Sequence, residues 1–339
     1  MSDIAFAPPR DNRHWLLAAS GTLETALVVG VSIVAALLVQ QSLSPNLGEA
    51  LGLTNGAAPD FLAASAAITV QFVAQYGAMA ALIILFALVR GRTRLRHYAI
   101  AAPREGWRRT INSGVVAGLL VGLIPALVFV LQDVAPIGQN TPLWAVLREA
   151  RSDWTFWLFM AAGSFVLPPL LEEFAWRGYA LGRLSEGFSP GGALVMTTLV
   201  FAMLHVQYLR ADAAMALTLV GLILASLAFG FLTLRSGSLV PAIIAHVIIN
   251  FPLPTEGNMA KIALGLGVLI VFRRAIGAEL KIWGRTIWSA ATLAVLPAIV
   301  VIGALIAAAM LIPNGPYWIG GLSLGLLVVL LFLKRSAWE

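Results

Sequence analysis

Long apolar runs separated by short polar segments dominate the chain. A helix needs about 20 mostly apolar residues to cross a bilayer, and about ten segments approach that length. Their limits are Trp15–Val39, Phe61–Val89, Ile111–Leu131, Trp154–Leu184, Gly191–Leu209, Ala213–Leu234, Ser238–Phe251, Ile262–Phe272, Trp283–Ile312 and Tyr317–Leu333. The short seventh and eighth runs fit tilted helices, half-helices or extensions of their neighbours. The pattern predicts an all-α, polytopic transmembrane helical bundle.

The composition agrees with a lipid environment. Hydrophobic residues make up 60% of the chain and charged residues 11%, whereas a soluble globular chain is typically about a quarter charged. The chain has no cysteine, which excludes disulfides, a thiolate nucleophile and a Cys-ligated metal. The first residues are too polar for the apolar region of a signal peptide. We therefore interpret them as a cytoplasmic tail and expect a multi-pass protein of the inner (plasma) membrane.

The distribution of basic residues predicts the orientation. If the N-terminus is cytoplasmic and the ten spans alternate, 18 of the 22 Lys and Arg residues fall on the inside. Cytoplasmic loops of membrane proteins carry this excess. We therefore expect both termini inside. The net charge of +6 is then explained by a basic rim at the membrane. We therefore expect the lipid bilayer as a partner and do not expect nucleic-acid binding.

Polar residues inside three of the spans form the candidate chemistry, because ionisable groups there are costly and functional by default. The segments are EEFAWR at 172–177, FAMLH at 201–205 and HVIIN at 246–250. Residues four apart share a helix face, so Glu173 can pair with Arg177 while Glu172 lies about 100° around the helix. A turn near Gly187–Pro190 would place Glu172 and His205 at similar depth, roughly 22 Å along antiparallel helices.

These residue types support hydrolysis in more than one way. A carboxylate and an imidazole can deprotonate a water, and an imidazole and an amide can donate to an oxyanion. One carboxylate and two histidines can instead hold zinc with one open position, which makes Glu172, His205 and His246 candidate metal ligands. The chain has no HExxH and no GxSxG motif, which argues against a zincin and a serine protease. A lone membrane ion pair is more often structural, but here polar groups converge from three helices.

The three segments resemble the EExxxR, FxxxH and HxxxN motifs of the CAAX-protease and bacteriocin-processing (CPBP, Abi) family of intramembrane proteases, which includes type II CAAX prenyl endopeptidases. The resemblance covers roughly Trp154–Phe251. It implies Glu172 as the base, assisted by His205, and His246 and Asn250 as oxyanion stabilisers. It implies structural support from three further residues, Glu173, Arg177 and Phe201. It leaves open a metalloprotease with one divalent metal such as zinc and a glutamate-type enzyme without a cofactor.

The predicted organisation has four parts: a cytoplasmic tail (1–14), N-terminal transmembrane helices (15–110), a core similar to the CAAX proteases (111–251) and C-terminal transmembrane helices (252–339). The function we expect is an intramembrane endopeptidase that cleaves a membrane-associated peptide or protein. The alternatives are a non-catalytic membrane scaffold or bacteriocin-immunity protein, and a transporter with a Glu/His proton relay. A transporter would be favoured by repeat symmetry, which the sequence lacks.

Overall fold

The computed structural model describes residues 14–42, 47–53, 56–134, 153–205 and 213–288. Within these ranges the regular structure is helical, and they contain no strand. The α-helices are α1 (His14–Ser42), α2 (Leu47–Ala50), α3 (Phe61–Val89), α4 (Trp107–Val121), α5 (Leu123–Val134), α6 (Trp154–Met160), α7 (Leu167–Glu173), α8 (Leu181–Leu184), α9 (Pro190–Leu204), α10 (Ala213–Ser236), α11 (Val240–Asn250), α12 (Thr255–Val271) and α13 (Arg273–Ile287). A 3₁₀ turn spans Leu95–Tyr98, and π-helical segments span Ala161–Phe165 and Phe174–Ala180.

Five helical stretches of the described chain are long and apolar enough to cross a membrane, by length and composition: Leu16–Val39, Phe61–Val89, Trp107–Val134, Trp154–Leu184 and Ala216–Ser236. The shorter apolar helices α9 and α11 correspond to the fifth and seventh predicted spans. The prediction of an all-α membrane protein is therefore confirmed. The total of about ten spans and the cytoplasmic location of both termini stay predictions.

The C-terminal part differs from the expected pattern. The predicted eighth span lies within α12, which begins earlier, at Thr255, and is 17 residues long. Trp283 was expected to begin the ninth span but lies inside α13. The reason is that Arg273, Lys281 and Arg285 give this helix a charged face, so it is amphipathic rather than apolar. Residues 289–339, and with them most of the ninth and all of the tenth predicted span, lie outside the described residues, as do residues 1–13 of the predicted tail.

The fourth span is not a regular α-helix. Its first π-helical segment is followed by Pro168 and Pro169 at the start of α7. Proline lacks the N–H that would bond one turn back, so a helix tends to restart at this residue. The second π-helical segment begins directly after Glu173 and contains Arg177. Both irregular segments lie beside the predicted site residues, as π-bulges often do in proteins.

Small residues bring α11 against α4. A β-carbon added at Gly114 would lie 2.8 Å from the Pro241 carbonyl oxygen, and one at Gly118 would lie 3.0 Å from the Ala245 Cα. Glycines four residues apart let two helix backbones approach closely. Ala245 is fully buried, and the next residue, His246, is 6% exposed. This close packing fixes the position of the His246 ring.

The N-terminal helices form part of the wall around the second π-helical segment. Leu27 of α1 and Ile83 and Phe86 of α3 belong to one buried cluster with Trp176 and Tyr179. The cluster continues to Phe201 of α9. Residues before position 111 therefore contribute to the environment of the predicted site.

Candidate active site

Glu173 is the centre of the site. Its side chain is fully buried, and its Oε1 accepts a hydrogen bond from Arg177 Nη1 at 3.0 Å, as the four-residue spacing predicts. The same oxygen lies 2.8 Å from His246 Nδ1 on α11. A buried carboxylate is tolerated only with such partners. Glu173 thus connects two of the three predicted segments.

The Arg177 guanidinium contacts hydrogen-bond acceptors and aromatic rings in addition to Glu173. Its Nη2 donates to the hydroxyl of Ser226 on α10 at 2.9 Å, and that hydroxyl donates to Thr198 Oγ1 at 3.2 Å. The guanidinium carbon lies 4.9 Å from the Phe201 ring centroid and 5.2 Å from the Phe229 ring centroid. Aromatic faces attract a desolvated cation. Arg177 therefore balances the Glu173 charge within an otherwise apolar region.

The contact with Glu173 sets the proton position on His246. A carboxylate accepts, so Nδ1 carries the hydrogen of this bond. In a neutral ring Nε2 then has a lone pair, and Nε2 lies 3.9 Å from Glu172 Oε2. Phe229 stacks on the ring with centroids 5.1 Å apart. His246 consequently presents Nε2 to Glu172 and can donate from Nε2 only when both ring nitrogens are protonated.

Glu172 has a different environment from its neighbour. Its side chain is 14% exposed, against 0% for Glu173. Its Oε1 accepts from the hydroxyl of Tyr76 on α3 at 3.3 Å. Sequence reasoning missed Tyr76, which belongs to none of the three motifs. The sequence did contain a signal for a functional role of Tyr76. Tyrosines of membrane helices favour the membrane interfaces, whereas this one lies near the middle of its apolar run.

His205 directly follows the last residue of α9, whereas the predicted fifth span continues to Leu209. The helix stops at Leu204, and the predicted continuation to Leu209 passes into residues 206–212, which are not described. The reason is visible in the hydrogen bonds. The His205 backbone N–H donates to the Ala202 carbonyl at 3.1 Å, while its ring Nδ1 lies 2.8 Å from the Phe201 carbonyl oxygen. The side chain replaces a main-chain donor and caps the helix.

Phe201 links His205 to the centre of the site. Its ring centroid lies 4.5 Å from that of His205, and the same ring faces the Arg177 guanidinium. Trp176 packs edge-on against Phe201 with centroids 5.6 Å apart. The second predicted segment therefore joins the first through an aromatic ring.

Asn250 is tied to the first π-helical segment. Its Nδ2 donates to the Ser164 carbonyl at 3.1 Å, and the Ser164 hydroxyl donates to the Asn250 carbonyl at 3.0 Å. A carboxamide has two N–H donors, and Ser164 accounts for one. The oxyanion role of Asn250 requires the other and stays a prediction. Ser164 was not singled out in the sequence, because an isolated serine in an apolar run carries no motif.

The predicted metal ligands are only partly assembled. Among the described residues no group of three or more His, Cys, Asp and Glu side chains has the arrangement of a metal site. Glu172 Oε2 and His246 Nε2 are 3.9 Å apart, whereas two ligands of one tetrahedral zinc lie about 3.4 Å apart. This pair would have to contract slightly, and His205 would have to complete the set. The zinc site stays a prediction, and no step of the chemistry below depends on it.

Comparison with known families places the site within a recognised segment. Residues 153–252 match the family model described as Type II CAAX prenyl endopeptidase Rce1-like. This segment is similar to that family. The predicted resemblance is confirmed over a range that includes every proposed catalytic residue. Tyr76, on α3, lies outside the Rce1-like segment. No curated protein and no solved structure matches the chain.

Proposed function

We propose that this protein is an intramembrane endopeptidase of the CAAX-protease type, which hydrolyses a peptide bond in a membrane-associated peptide or protein. One observation carries the proposal. Within the Rce1-like segment, Glu172 and the Glu173–Arg177 pair meet His246 from another helix, with Nε2 of His246 directed at Glu172. An ion pair that served packing alone would not need a second carboxylate beside the imidazole.

Glu172 is the residue that we propose as general base. Within the described ranges no ion pair joins it to an arginine, and the Tyr76 hydroxyl donates to one of its oxygens. The separation of 3.9 Å between Oε2 and His246 Nε2 is one that a single water can bridge. Glu172 would take a proton from this water while the water oxygen attacks the carbonyl carbon of the scissile peptide bond. Glu172 would then return the proton to the leaving amine. His205, which completes the predicted set, would assist the proton transfer.

His246 and Asn250 are the proposed oxyanion stabilisers. A doubly protonated His246 ring would donate from Nε2, and Glu173 supplies the counter-charge for that form, as a buried carboxylate does for the histidine of a catalytic triad. Asn250 would donate with the amide hydrogen that Ser164 does not use. Donors fixed before the charge develops are worth most in a water-poor site.

The substrate that fits is an extended segment anchored to the membrane by a span, a lipid or an amphipathic helix. Hydrocarbon cannot satisfy the polar groups of an unfolded backbone, so a free soluble peptide would reach the depth of Glu172 far less readily than an anchored one. In proteoliposomes, anchored peptides should be cut much faster than free peptides of the same sequence. Equal turnover would argue against this substrate class.

The activity can be tested without knowing the substrate. Cells that carry the wild type, Glu172→Gln or the control Glu256→Gln would be compared for membrane proteins and their new termini. Glu256 is an exposed carboxylate at the start of α12. We expect an uncut membrane protein to accumulate with Glu172→Gln alone. Identical profiles for all three would contradict a protease and favour the scaffold or immunity alternative.

A further inference from the structure

A cavity of about 400 Å³ lies at one end of the helices, separate from Glu172 and its partners. It forms where α3 ends, where the Leu95–Tyr98 turn folds back, and where α8 and the turn between α10 and α11 approach. Five arginines and one glutamate are the charged residues of its lining: Arg90, Arg92, Arg96, Arg104, Arg183 and Glu186. Arginine at this density within one cavity points to a negatively charged ligand.

The charges of the cavity do not balance. Glu186 contacts Arg90, Arg92 and Arg183 at 3.4, 3.1 and 3.0 Å. Glu24 of α1, behind the wall, contacts Arg90 at 3.5 Å and Arg183 at 2.9 Å. Among the described residues, these two carboxylates contact three of the five guanidinium groups that line the cavity. The surplus is positive, and an anion with more than one charge would offset it best.

One of the arginines is buried and held by hydrogen bonds, and the backbone of a second is anchored. Arg183 is 4% exposed and donates from Nη2 to the Ser20 hydroxyl at 2.7 Å. Arg104 is anchored by its backbone N–H, which donates to the Ser236 carbonyl at 2.9 Å. Its guanidinium lies against Gly237, where an added β-carbon would be 2.8 Å from Nε and where φ is +67°. A glycine at this position lets Arg104 form the wall.

The hydroxyls at the cavity are already committed to the protein. Tyr98 donates to the Arg92 carbonyl at 2.8 Å, and Tyr179 donates to Glu24 at 3.2 Å. Nδ1 of His97, in contrast, is buried and has no hydrogen-bond partner among the described residues. The cavity therefore offers guanidinium groups, which suit an oxyanion better than a neutral polyol.

We propose that this cavity binds a phosphate group, carried by an anionic phospholipid headgroup or by a soluble phosphate compound. The guanidinium fork matches phosphate oxygens in pairs, and basic pockets at the ends of membrane helices bind lipid headgroups. The volume exceeds that of phosphate alone, which leaves room for the group that carries it. This proposal does not depend on the protease activity.

The test uses the purified full chain in nanodiscs. Thermal unfolding midpoints would be measured in phosphatidylcholine alone, in phosphatidylcholine with phosphatidylglycerol, and in phosphatidylcholine with added inorganic phosphate. The variant Arg96→Gln/Arg104→Gln would be compared with Arg108→Gln/Arg274→Gln, which removes the same charge outside the cavity lining. We expect the first variant to weaken phosphate-dependent stabilisation about tenfold or more in concentration, and the second to behave as the wild type.

The arms separate the source of the phosphate. Stabilisation by phosphatidylglycerol alone would assign a lipid headgroup, and stabilisation by inorganic phosphate would assign a soluble ligand. Stabilisation by neither phosphate source would overturn the proposal. Equal losses in both double variants would also overturn it, because a general surface charge would then explain the effect. Arg96→Gln alone, at an exposed side chain, provides the same test if the double variant does not fold.

Discussion

Two clusters of charged side chains in this molecule have opposite balances. In the cluster around Glu173 a single arginine, Arg177, serves the buried carboxylate, and aromatic rings cover the pair. In the cluster at the helix ends, two described carboxylates, Glu24 and Glu186, contact three of the five arginines that line a cavity. In the first cluster Arg177 is paired with Glu173, and Glu172 is the more exposed of the two carboxylates. In the second cluster the described arginines outnumber the carboxylates, so its charge is positive. This difference agrees with the two proposals, in which the first cluster positions reacting groups and the second binds an anion.

The largest expected effect comes from removing the buried arginine of each cluster. Arg177→Ala leaves Glu173 buried without a cation and should cost about 3–5 kcal/mol of stability. Arg183→Ala should cost less, because Arg90 still contacts both Glu24 and Glu186. The measurement is the unfolding midpoint of each purified variant in the same detergent. Equal losses would contradict the difference between the clusters. Arg235→Ala, at a surface ion pair with Glu105, should change stability by about 0–1 kcal/mol.

A smaller effect is expected from the tyrosine hydroxyl of each cluster. Tyr76 donates to Glu172, and Tyr179 donates to Glu24. Tyr76→Phe removes one hydrogen bond to the proposed base, worth about 1 kcal/mol or somewhat more, so turnover should fall about three- to tenfold. Tyr179→Phe should leave turnover near the wild-type value. Assays of both variants on one anchored peptide would decide, and a larger loss for Tyr179→Phe would reverse the assignment.

The smallest effect concerns pH. Burial and the positive charge of Arg92 lower the pKa of His97 below its usual value of about 6.5. The unfolded chain therefore takes up a proton first, so this residue makes folding less favourable as the pH falls through about 6.5 toward the lowered pKa. His97→Gln should make stability less dependent on pH in that window. Unfolding midpoints between about pH 5 and 8 would show this, and an unchanged pH profile would remove His97 from the account.

Much of the site followed from the sequence because helical spacing is a local property. The contact of Glu173 with Arg177 follows from a separation of four residues. That His246 would meet the first segment followed from the shared polarity of the segments. The sequence did not predict which carboxylate contacts Nδ1 of His246, because that depends on the close packing of α11 against α4 through Gly114 and Gly118.

Other features could not be predicted because they depend on tertiary contacts or on irregular helices. Tyr76 lies 96 residues before Glu172, and no spacing rule relates them. Ser164 reaches Asn250 from a π-helical segment, whose geometry the apolar pattern does not reveal. The apolar pattern did not reveal that α9 ends before His205, whose own ring contacts the Phe201 carbonyl oxygen at the helix end. The fold class was predictable, since apolar length alone specifies membrane helices; their number and orientation stay predictions.

The central claim is that neighbouring carboxylates have separate tasks, with Glu172 in chemistry and Glu173 in support. The most direct measurement records turnover of an anchored peptide and the unfolding midpoint for Glu172→Gln and Glu173→Gln in proteoliposomes. We predict that Glu172→Gln keeps a midpoint close to the wild type while turnover falls about 10²–10⁴-fold, and that Glu173→Gln lowers the midpoint markedly because Arg177 is left buried without its counter-charge. More than about a tenth of wild-type turnover in Glu172→Gln, a far smaller loss than removal of a general base produces, would contradict the account.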